Sequence, residues 1–334
     1  MKQFYILFIT IFIILLSGCS SKTYFEPSSI AGKIEYKESL NSLLKDVSRD
    51  GATFVDGQVV TKKSGLLTGF NIPSNFKFLS DNGSEIAISD IHGNLKILSK
   101  NDGSELFSNE FSAQILSCTK RGNFLAMLDS NNALLLYDIS ASKLLYKEKL
   151  EDSVAVDARV ANPLFLNDLV VFPTLDGRLL IMDLNKKRIL RDIAISDKRI
   201  FNNVIFLGVH NNIMVAATSS KVISITPTDI KNYKVGVKDI LYIDNQVYIF
   251  TKAGSVILLD NQLQKISELK LPFAIFSTAF SGNMIYAVEK KGFIIEIQKD
   301  LSSHKVYELA DEVNVPVIGY KGQVFIGDKV IYLP

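Results

Sequence analysis

The residue types most often used in catalysis and metal binding are few in this 334-residue chain and lie far apart. Its three histidines, His92, His210 and His304, could act as general bases or zinc ligands. They are separated by 118 and 94 positions, and none has a partner at the spacing of a zinc site. Each lies at or near a predicted turn. We therefore predict exposed turn histidines, no metal site and no cofactor.

Aspartate is the second candidate for chemistry because it recurs at the ends of apolar runs, as Asp90, Asp129, Asp138, Asp183 and Asp260. At the end of a strand, an Asp side chain accepts hydrogen bonds from backbone amides of the following turn, so we predict a structural role. The chain contains no GxSxG nucleophile motif, no P-loop and no DxDxDG calcium loop. These observations predict a protein that is not an enzyme.

Cys19 is the residue for which the sequence predicts a covalent modification. It follows Leu-Ser-Gly at the end of an uncharged apolar run of thirteen residues (4 to 16), and Lys2 precedes that run. This arrangement resembles a bacterial lipobox, in which cleavage between Gly18 and Cys19 leaves an acylated cysteine at the N-terminus. As a helix the run would span about 20 Å, less than the roughly 30 Å hydrocarbon core, which indicates a signal peptide and not a permanent span.

The predicted anchor divides the chain into three segments. Residues 1 to 18 are the signal peptide, and residues 19 to 30 are the lipidated cysteine with a polar, flexible tether. Residues 31 to 334 form the folded domain. Several acyl chains hold such a protein on its membrane, since each buried CH₂ contributes ~0.8 kcal/mol. Ser20 follows the cysteine, and by resemblance to enterobacterial sorting this favours the outer membrane over the inner one.

Composition excludes one class of partner and allows a large core. Lys and Arg total 37 against 35 Asp and Glu, so little net field is available to attract nucleic acid. Hydrophobic residues make up 47% of the chain. Cys118, the other cysteine, lies in an apolar run and is predicted to be a small buried hydrophobe, with no intramolecular disulfide once Cys19 is acylated.

Short apolar runs separated by Gly, Asn and Asp indicate an all-β fold. The segment 36 to 47 is ambiguous between a short helix and an irregular strand. Eight copies of one pattern, an apolar strand, a tight turn and a second apolar strand, recur along the chain. Their turn residues are Gly65, Gly93, Asn132, Gly177, Ser220, Gly254, Gly292 and Gly327. Gly or Asn at such a position suits a hairpin that needs positive φ.

Each hairpin is followed by further strand-like residues, so that about 40 residues hold four strands. That unit is the blade of a β-propeller, whose faces are covered only when neighbouring blades close a ring. We predict a single propeller with eight blades. The first repeat interval is short, which leaves seven as the alternative. The segment 33 to 36 is predicted to supply the outer strand of the last blade, so that N- and C-terminal strands close the ring.

The repeats 95 to 111 and 134 to 150 resemble the PQQ-like propeller repeat, in which a strand ending near Asp is followed by a turn and an apolar pair. The usual Trp is replaced, with Phe107, Tyr146 and Leu190 at comparable places, since the chain has no Trp. This repeat also builds quinoprotein dehydrogenases, which hold their cofactor on a Trp and a vicinal disulfide. The chain has neither feature, so the resemblance does not imply that enzyme.

Lipobox, tether and propeller together resemble the BamB family of lipoproteins, which belongs to the outer-membrane β-barrel assembly machine. The stretch EDSVAVDARVANP (151 to 163) is similar to the loop with which that family contacts the barrel subunit BamA. Val154, Val156, Arg159 and Pro163 occupy the matching positions. The alternative interpretation of the same stretch is an ordinary connection between two blades.

The resemblance implies a non-catalytic scaffold that faces the periplasm, binds a BamA-like subunit and is monomeric within its complex. A second hypothesis is an envelope or surface propeller that binds another protein or a glycan. A third is a divergent quinoprotein-type enzyme, which would require a charged cluster converging on one mouth of the ring.

Overall fold

Eight β-sheets arranged in a ring, seven with four strands and one with five, form an eight-bladed β-propeller. The structure is a computed structural model, and it describes residues 26–198, 200–271 and 275–334. The predicted signal peptide, Gly18, Cys19 and most of the tether lie outside the described residues. Between most neighbouring blades the first strands contact each other, which places these strands around a central channel. The prediction of an all-β propeller with eight blades is confirmed.

The strands follow one another in blade order. Blades 1 to 4 consist of β3 (Leu44–Val47), β4 (Gly51–Phe54), β5 (Gln58–Thr61), β6 (Gly65–Asn71); β7 (Lys77–Asp81), β8 (Glu85–Ser89), β9 (Asn94–Ser99), β10 (Glu105–Glu110); β11 (Ile115–Arg121), β12 (Phe124–Asp129), β13 (Ala133–Asp138), β14 (Lys143–Lys149); and β15 (Leu164–Leu166), β16 (Leu169–Pro173), β17 (Arg178–Asp183), β18 (Arg188–Ala194). Blades 5 to 8 consist of β19 (Phe206–His210), β20 (Ile213–Thr218), β21 (Lys221–Ile225), β22 (Ile230–Lys234); β23 (Val237–Ile243), β24 (Gln246–Thr251), β25 (Ser255–Asp260), β26 (Lys265–Lys270); β27 (Ile275–Ser281), β28 (Met284–Glu289), β29 (Phe293–Gln298), β30 (His304–Glu308); and β31 (Val317–Tyr320), β32 (Gln323–Ile326), β33 (Lys329–Tyr332) with β2 (Glu38–Ser39). The remaining strand, β1 (Gly32–Lys33), is added to blade 7.

The position of a strand within its blade explains its residue pattern. The two middle strands are covered on both faces by neighbouring blades, so they are continuous apolar runs, as in ALLLYD of β13, where five of six residues are buried. The fourth strand faces solvent on its outer side and therefore alternates, as in ELFSNE of β10. The repeated pattern in the sequence therefore arises from the difference between covered middle strands and half-exposed fourth strands.

The hydrophobic core is divided among the contacts between neighbouring blades. Eight clusters of buried apolar residues fill these contacts, one for each pair of blades around the ring. Between blades 2 and 3, aromatic rings smaller than Trp fill the contact. Phe107 and Phe111 each pack against Tyr137 with ring centroids 5.6 Å apart, which joins blade 2 to blade 3. In blade 4 the residue that packs inward is Ile189, whereas Leu190 is exposed in a bulge.

The N-terminal segment closes the ring, as predicted, but at different residues. The fourth strand of blade 8 is Glu38–Ser39, which pairs with Val330 and Lys329, and not the predicted segment 33 to 36. Gly32–Lys33 instead pairs in parallel with β30 of blade 7. The segment thus bridges blades 7 and 8. The ambiguous stretch 36 to 47 forms strands β2 and β3, with no helix.

The first repeat in the sequence is out of register with the other seven. The predicted hairpin around Gly65 joins the third and fourth strands of blade 1, whereas the corresponding turn between its second and third strands contains Gly57. Gly57 has φ 90°, and an added Cβ there would lie 2.1 Å from the carbonyl oxygen of Ile72. Gly57 precedes Gly93 by 36 positions, an ordinary repeat interval, so the alternative of seven blades is wrong. Ser220 lies in the predicted turn between the second and third strands of blade 5, and neither residue of that turn has a positive φ.

Candidate functional site

The residues that suggested chemistry in the sequence have structural roles. Each of the five recurring aspartates accepts hydrogen bonds from backbone amides of the turn that follows it, as when Asp90 Oδ1 accepts from the amides of His92 and Asn94 at 2.9 and 3.0 Å. His92, His210 and His304 are exposed. Cys118 is fully buried, and burial raises the pKa of its thiol. These predictions are confirmed.

The stretch 151 to 163 connects blade 3 to blade 4 and crosses the central channel. The amide of Asp157 donates to Asn203 Oδ1 at 2.7 Å, and the Arg159 guanidinium donates to the carbonyl oxygen of Lys238 in blade 6. Asn162 donates to Asp50 of blade 1 at 2.7 Å and accepts from the amide of Cys118 in blade 3. A connection between adjacent blades therefore contacts blades on the far side of the ring. It narrows the channel.

The four residues predicted to bind a partner have different environments. Val154 is 82% exposed. Val156 is half-buried against the core between blades 3 and 4, and Pro163 is buried. Arg159 forms an ion pair with Asp157 in addition to its bond to blade 6. Their role in partner binding stays a prediction, and the structure presents Val154 as the one of the four that a partner could reach most directly.

A charged cluster lies inside the channel, and a buried ion pair is its centre. Arg49 Nη1 lies 2.6 Å from Asp239 Oδ1, and both residues are only 8% exposed. Arg49 follows the first strand of blade 1 and Asp239 belongs to the first strand of blade 6, so the pair reaches across the channel. Arg49 also donates to the carbonyl oxygen of Ile240, and Thr278 Oγ1 donates to Asp239. Each charge is thus both paired and hydrogen-bonded, as burial requires.

Electrostatic effects on Asp239 oppose one another. Burial raises the pKa of its carboxyl, but the Arg49 and Lys62 charges and the Thr278 hydrogen bond outweigh burial and hold that pKa well below its ordinary range. Asp239 therefore stays ionised, and it stabilises the folded state at pH values above the unfolded pKa. That stability is lost as the pH falls towards the folded pKa.

Two cavities of about 520 and 470 Å³ flank the ion pair, and Arg49 and Lys62 line both of them. The larger cavity lies between blades 1, 6 and 8. Its charged lining consists of four cations and two carboxylates: Arg49, Lys62, Arg159 and Lys238, with Asp157 and Asp239. The first three strands of blade 1 and of blade 8 have only four residues each. The volume is in the range typical of small-ligand sites.

Two of the four cations lack an ionic partner. Asp239 pairs with Arg49 and Asp157 pairs with Arg159, whereas Lys62 and Lys238 form no ion pair or side-chain hydrogen bond among the described residues. Burial and the nearby Arg49 charge lower the pKa of Lys62 to about 8. Burial and the Arg159 charge also lower the pKa of Lys238. The lining of the cavity therefore carries two more cations than carboxylates, and Asp50 and Asp239 stabilise the charged form of Lys62 only in part.

We expect Lys62→Met to raise the free energy of unfolding at pH 7 by about 1–2 kcal/mol, because a half-buried cation that has no ion pair opposes folding. The folded pKa is about 8 and the ordinary value is 10.5. Between these values the unfolded chain binds more protons at Lys62, so the stability of the wild type rises with pH and the gap to the variant narrows. Urea unfolding at pH 7 and 9.5 measures both effects. Lys63→Met, at an exposed neighbour, is the matched control, and a less stable K62M protein would contradict the prediction.

One face of the propeller carries most of the exposed apolar loop residues. We define the connection face as the side where the second strand of a blade turns into the third and the fourth strand leads into the next blade. Among the described residues, six large apolar side chains are exposed there: Leu43, Val55, Ile91, Val154, Ile200 and Phe201. The turns of the opposite face carry none in the described chain. Phe201 donates its amide to the Ala155 carbonyl at 2.8 Å, which places Val154 and Phe201 side by side.

Sequence reasoning missed Arg49, Lys62, Lys238 and Asp239 because they lie on three strands or turns that are remote in the chain. Two signals were present. Lys238-Asp239 interrupts an otherwise apolar strand, and Arg49-Asp50 and Lys62-Lys63 terminate the short strands of blade 1. Within residues 26–198, 200–271 and 275–334, no group of His, Cys, Asp and Glu side chains could hold a metal ion. The same residues contain no helix that is long and apolar enough to cross a membrane.

No protein-family model matches the sequence. The chain is similar to the plasminogen-binding protein PgbB of Helicobacter pylori strain J99, with 31% identity over 92% of this chain and 65% of that protein. The PgbB protein of Helicobacter pylori strain 26695 is 29% identical over 92% of this chain and 64% of its own length. The chain thus spans just under two thirds of these relatives.

Solved structures share the fold at low sequence identity. BamB from Moraxella catarrhalis superposes with a TM-score of 0.68 at 12% identity, covering 89% of this chain and 98% of that one. The C-terminal WD40 domain of Sif2 gives a TM-score of 0.67 at 13% identity over 92% and 100% of the two chains. These likenesses confirm a propeller like that of BamB, and at these identities they show the fold alone.

Proposed function

We propose that this chain is a non-catalytic, lipid-anchored propeller of the bacterial envelope that binds another protein through its connection face, and that plasminogen is its partner. The similarity to PgbB carries the proposal. The similar region covers 92% of the chain. Residues outside the propeller are too few to account for this coverage, so the propeller itself is similar to part of a plasminogen-binding protein.

The connection face has the surface properties expected of a protein-binding site. Exposed apolar residues gathered on one side of a soluble domain mark interaction surfaces, whereas scattered ones need no explanation. Val154 is 82% exposed and Phe201 is 49% exposed, and the hydrogen bond beneath them keeps both on the same part of the face. An aromatic ring beside an aliphatic side chain is a suitable anchor for a partner's apolar pocket.

The cellular arrangement follows from the predicted anchor. Acylation of Cys19 would hold the protein on the outer membrane, and the tether would end near Ala31, whose amide makes the first contact with the propeller, at Val306. A plasminogen-binding role requires the connection face to be accessible outside the cell. Surface exposure is therefore part of this proposal, in place of the periplasmic orientation expected from the sequence.

Binding is proposed in place of catalysis because of how the channel charges are used. The charged cluster is the feature that an enzyme would require. Its two carboxylates are occupied by Arg49 and Arg159. Within the described residues, no cysteine or histidine lines the cavity, and Ser48, which does, donates its hydroxyl to the Gly51 carbonyl oxygen at 3.0 Å.

We expect purified mature protein to bind immobilised plasminogen, and Val154→Asp and Phe201→Asp each to weaken binding at least tenfold, because a charge in a desolvated apolar contact costs well over 1 kcal/mol. Biolayer interferometry with each variant measures this. Leu144→Asp, on the exposed outer strand of blade 3, is the matched control and should bind like the wild type. Absence of binding by the wild type, or loss in all three variants alike, would contradict the proposal.

A second candidate function is the BamB-like scaffold in outer-membrane barrel assembly. Its support is the lipobox resemblance together with the exposed position of Val154 in the segment that resembles the BamA-contacting loop. Protease treatment of intact cells separates the two candidates. A propeller that survives, and that crosslinks to a BamA-like subunit in isolated membranes, would favour the scaffold. A propeller that is digested would favour the surface-exposed binder.

A further inference from the structure

The larger channel cavity combines features that have no role in the fold or in the proposed partner surface. Removing a lysine from water without an ion pair opposes folding, yet Lys62 and Lys238, both half-buried, line this cavity and form no ion pair among the described residues. The two arginines that line it are already used in ion pairs. Half-buried cations that have no ion pair and line a concave site are candidates for binding a ligand of the opposite charge.

The rest of the lining constrains the ligand further. Val315 and Pro316, in the connection from blade 7 to blade 8, form an accessible apolar wall, and Val317 and Ile318 continue it into the core. The cavity of about 520 Å³ therefore has both an excess of positive charge and an apolar wall. Inorganic anions would leave the apolar wall uncovered, and large polyanions would not fit.

We propose that this cavity binds a carboxylate carried on a compact apolar group, with Lys62 and Lys238 facing the carboxylate and Val315 and Pro316 facing the apolar group. The carboxylate would supply the missing counter-charge, since charge-assisted hydrogen bonds from ammonium groups are among the stronger ones in proteins. Asp157 and Asp239 do not prevent binding, because Arg159 and Arg49 neutralise them. None of the six exposed apolar residues of the connection face lines this cavity, although Val315 and Pro316 belong to a loop of the same face.

The same geometry predicts the pH dependence of binding. The charged groups that face Lys62 are Arg49 and Arg159, which favour its neutral form, and Asp50 and Asp239, which favour its charged form. Without ligand the pKa of Lys62 is about 8, so a bound carboxylate would raise it. Affinity should therefore be greatest below pH 8 and should fall as the pH rises above that value.

Isothermal titration calorimetry of the mature protein at pH 7 tests the proposal with four probes. They are 4-methylpentanoate, its amide, a tripeptide ending in leucine with a free carboxylate, and the same tripeptide amidated. We expect at least one acid to bind and its amide to bind at least tenfold more weakly. Tighter binding of the peptide acid would identify a chain terminus as the natural source of the carboxylate. Binding of the free acid with exclusion of the peptide would identify a small molecule.

Two variants separate a binding role from a structural one. Lys62→Met and Lys238→Met should each lower the affinity for the acid at least tenfold, whereas Lys63→Met should leave that affinity unchanged. K62M is expected to be more stable than the wild type, so lost binding could not be attributed to misfolding. No binding of either acid at millimolar concentration, equal binding of acid and amide, or unchanged affinity in K62M would overturn the proposal. None of these outcomes bears on plasminogen binding.

Discussion

Replacing Arg49 by Met is expected to lower the free energy of unfolding by about 3–5 kcal/mol, because it leaves Asp239 buried without its counter-charge. Asp239 is 8% exposed, and its ionic partner comes from a blade on the other side of the channel. The variant also loses the hydrogen bond to the Ile240 carbonyl and the contact of the guanidinium with the Phe206 ring, 4.9 Å from its centroid. Urea unfolding at pH 7 measures the loss.

A matched control and a double variant make this prediction specific. Arg178→Met removes the arginine of an exposed pair with Asp192, and we expect a loss of at most about 1 kcal/mol. The double variant R49M/D239L removes both buried charges and should recover at least half of the stability lost in R49M. An R49M protein as stable as R178M would show that water solvates Asp239 adequately, and the interpretation of a dry ionic centre would be wrong.

The second large effect is expected from removing the strands that close the ring. A protein that begins at Asn41 lacks β1 and β2, and it should lose at least about 3 kcal/mol of stability. Ile34, 9% exposed in the core between blades 7 and 8, contributes about 1.5–3 kcal/mol on burial. The truncation also removes four backbone hydrogen bonds, from the amides of Ala31, Ile34, Lys37 and Leu40. Each contributes about 0.5–1.5 kcal/mol before chain entropy is subtracted.

The truncation also exposes the edge of β33, which is an unpaired template for strand addition. We therefore expect the shortened protein to self-associate, which light scattering after gel filtration would detect. A protein that begins at Ile30 keeps every one of these contacts and is the control. If both proteins are monomeric and equally stable, closure by the N-terminal segment does not contribute to the fold as we infer.

Local residue patterns were sufficient to predict the blades. The third strand of blade 4, Arg178–Asp183, and the turn before it at Gly177 lie where the sequence places them. A strand covered on both faces must be apolar throughout, and a tight turn needs Gly or Asn, so these constraints act on neighbouring residues. Blade 1 departs from the pattern because its strands are short. The hairpin around Gly65 then resembles the repeat more closely than the true turn at Gly57 does.

The sequence by itself determined the fold class and the structural roles of the aspartates and Cys118, and it favoured eight repeats over seven, because each depends on periodicity or on residues a few positions apart. Only the tertiary structure decided which strand closes the ring, that the stretch 151 to 163 crosses the channel, and that Arg49 meets Asp239. Those two residues are 190 positions apart. The ring brings them together because the rotations between successive blades add up to a closed circle. No pattern of neighbouring residues predicts which charged side chains then meet across the channel.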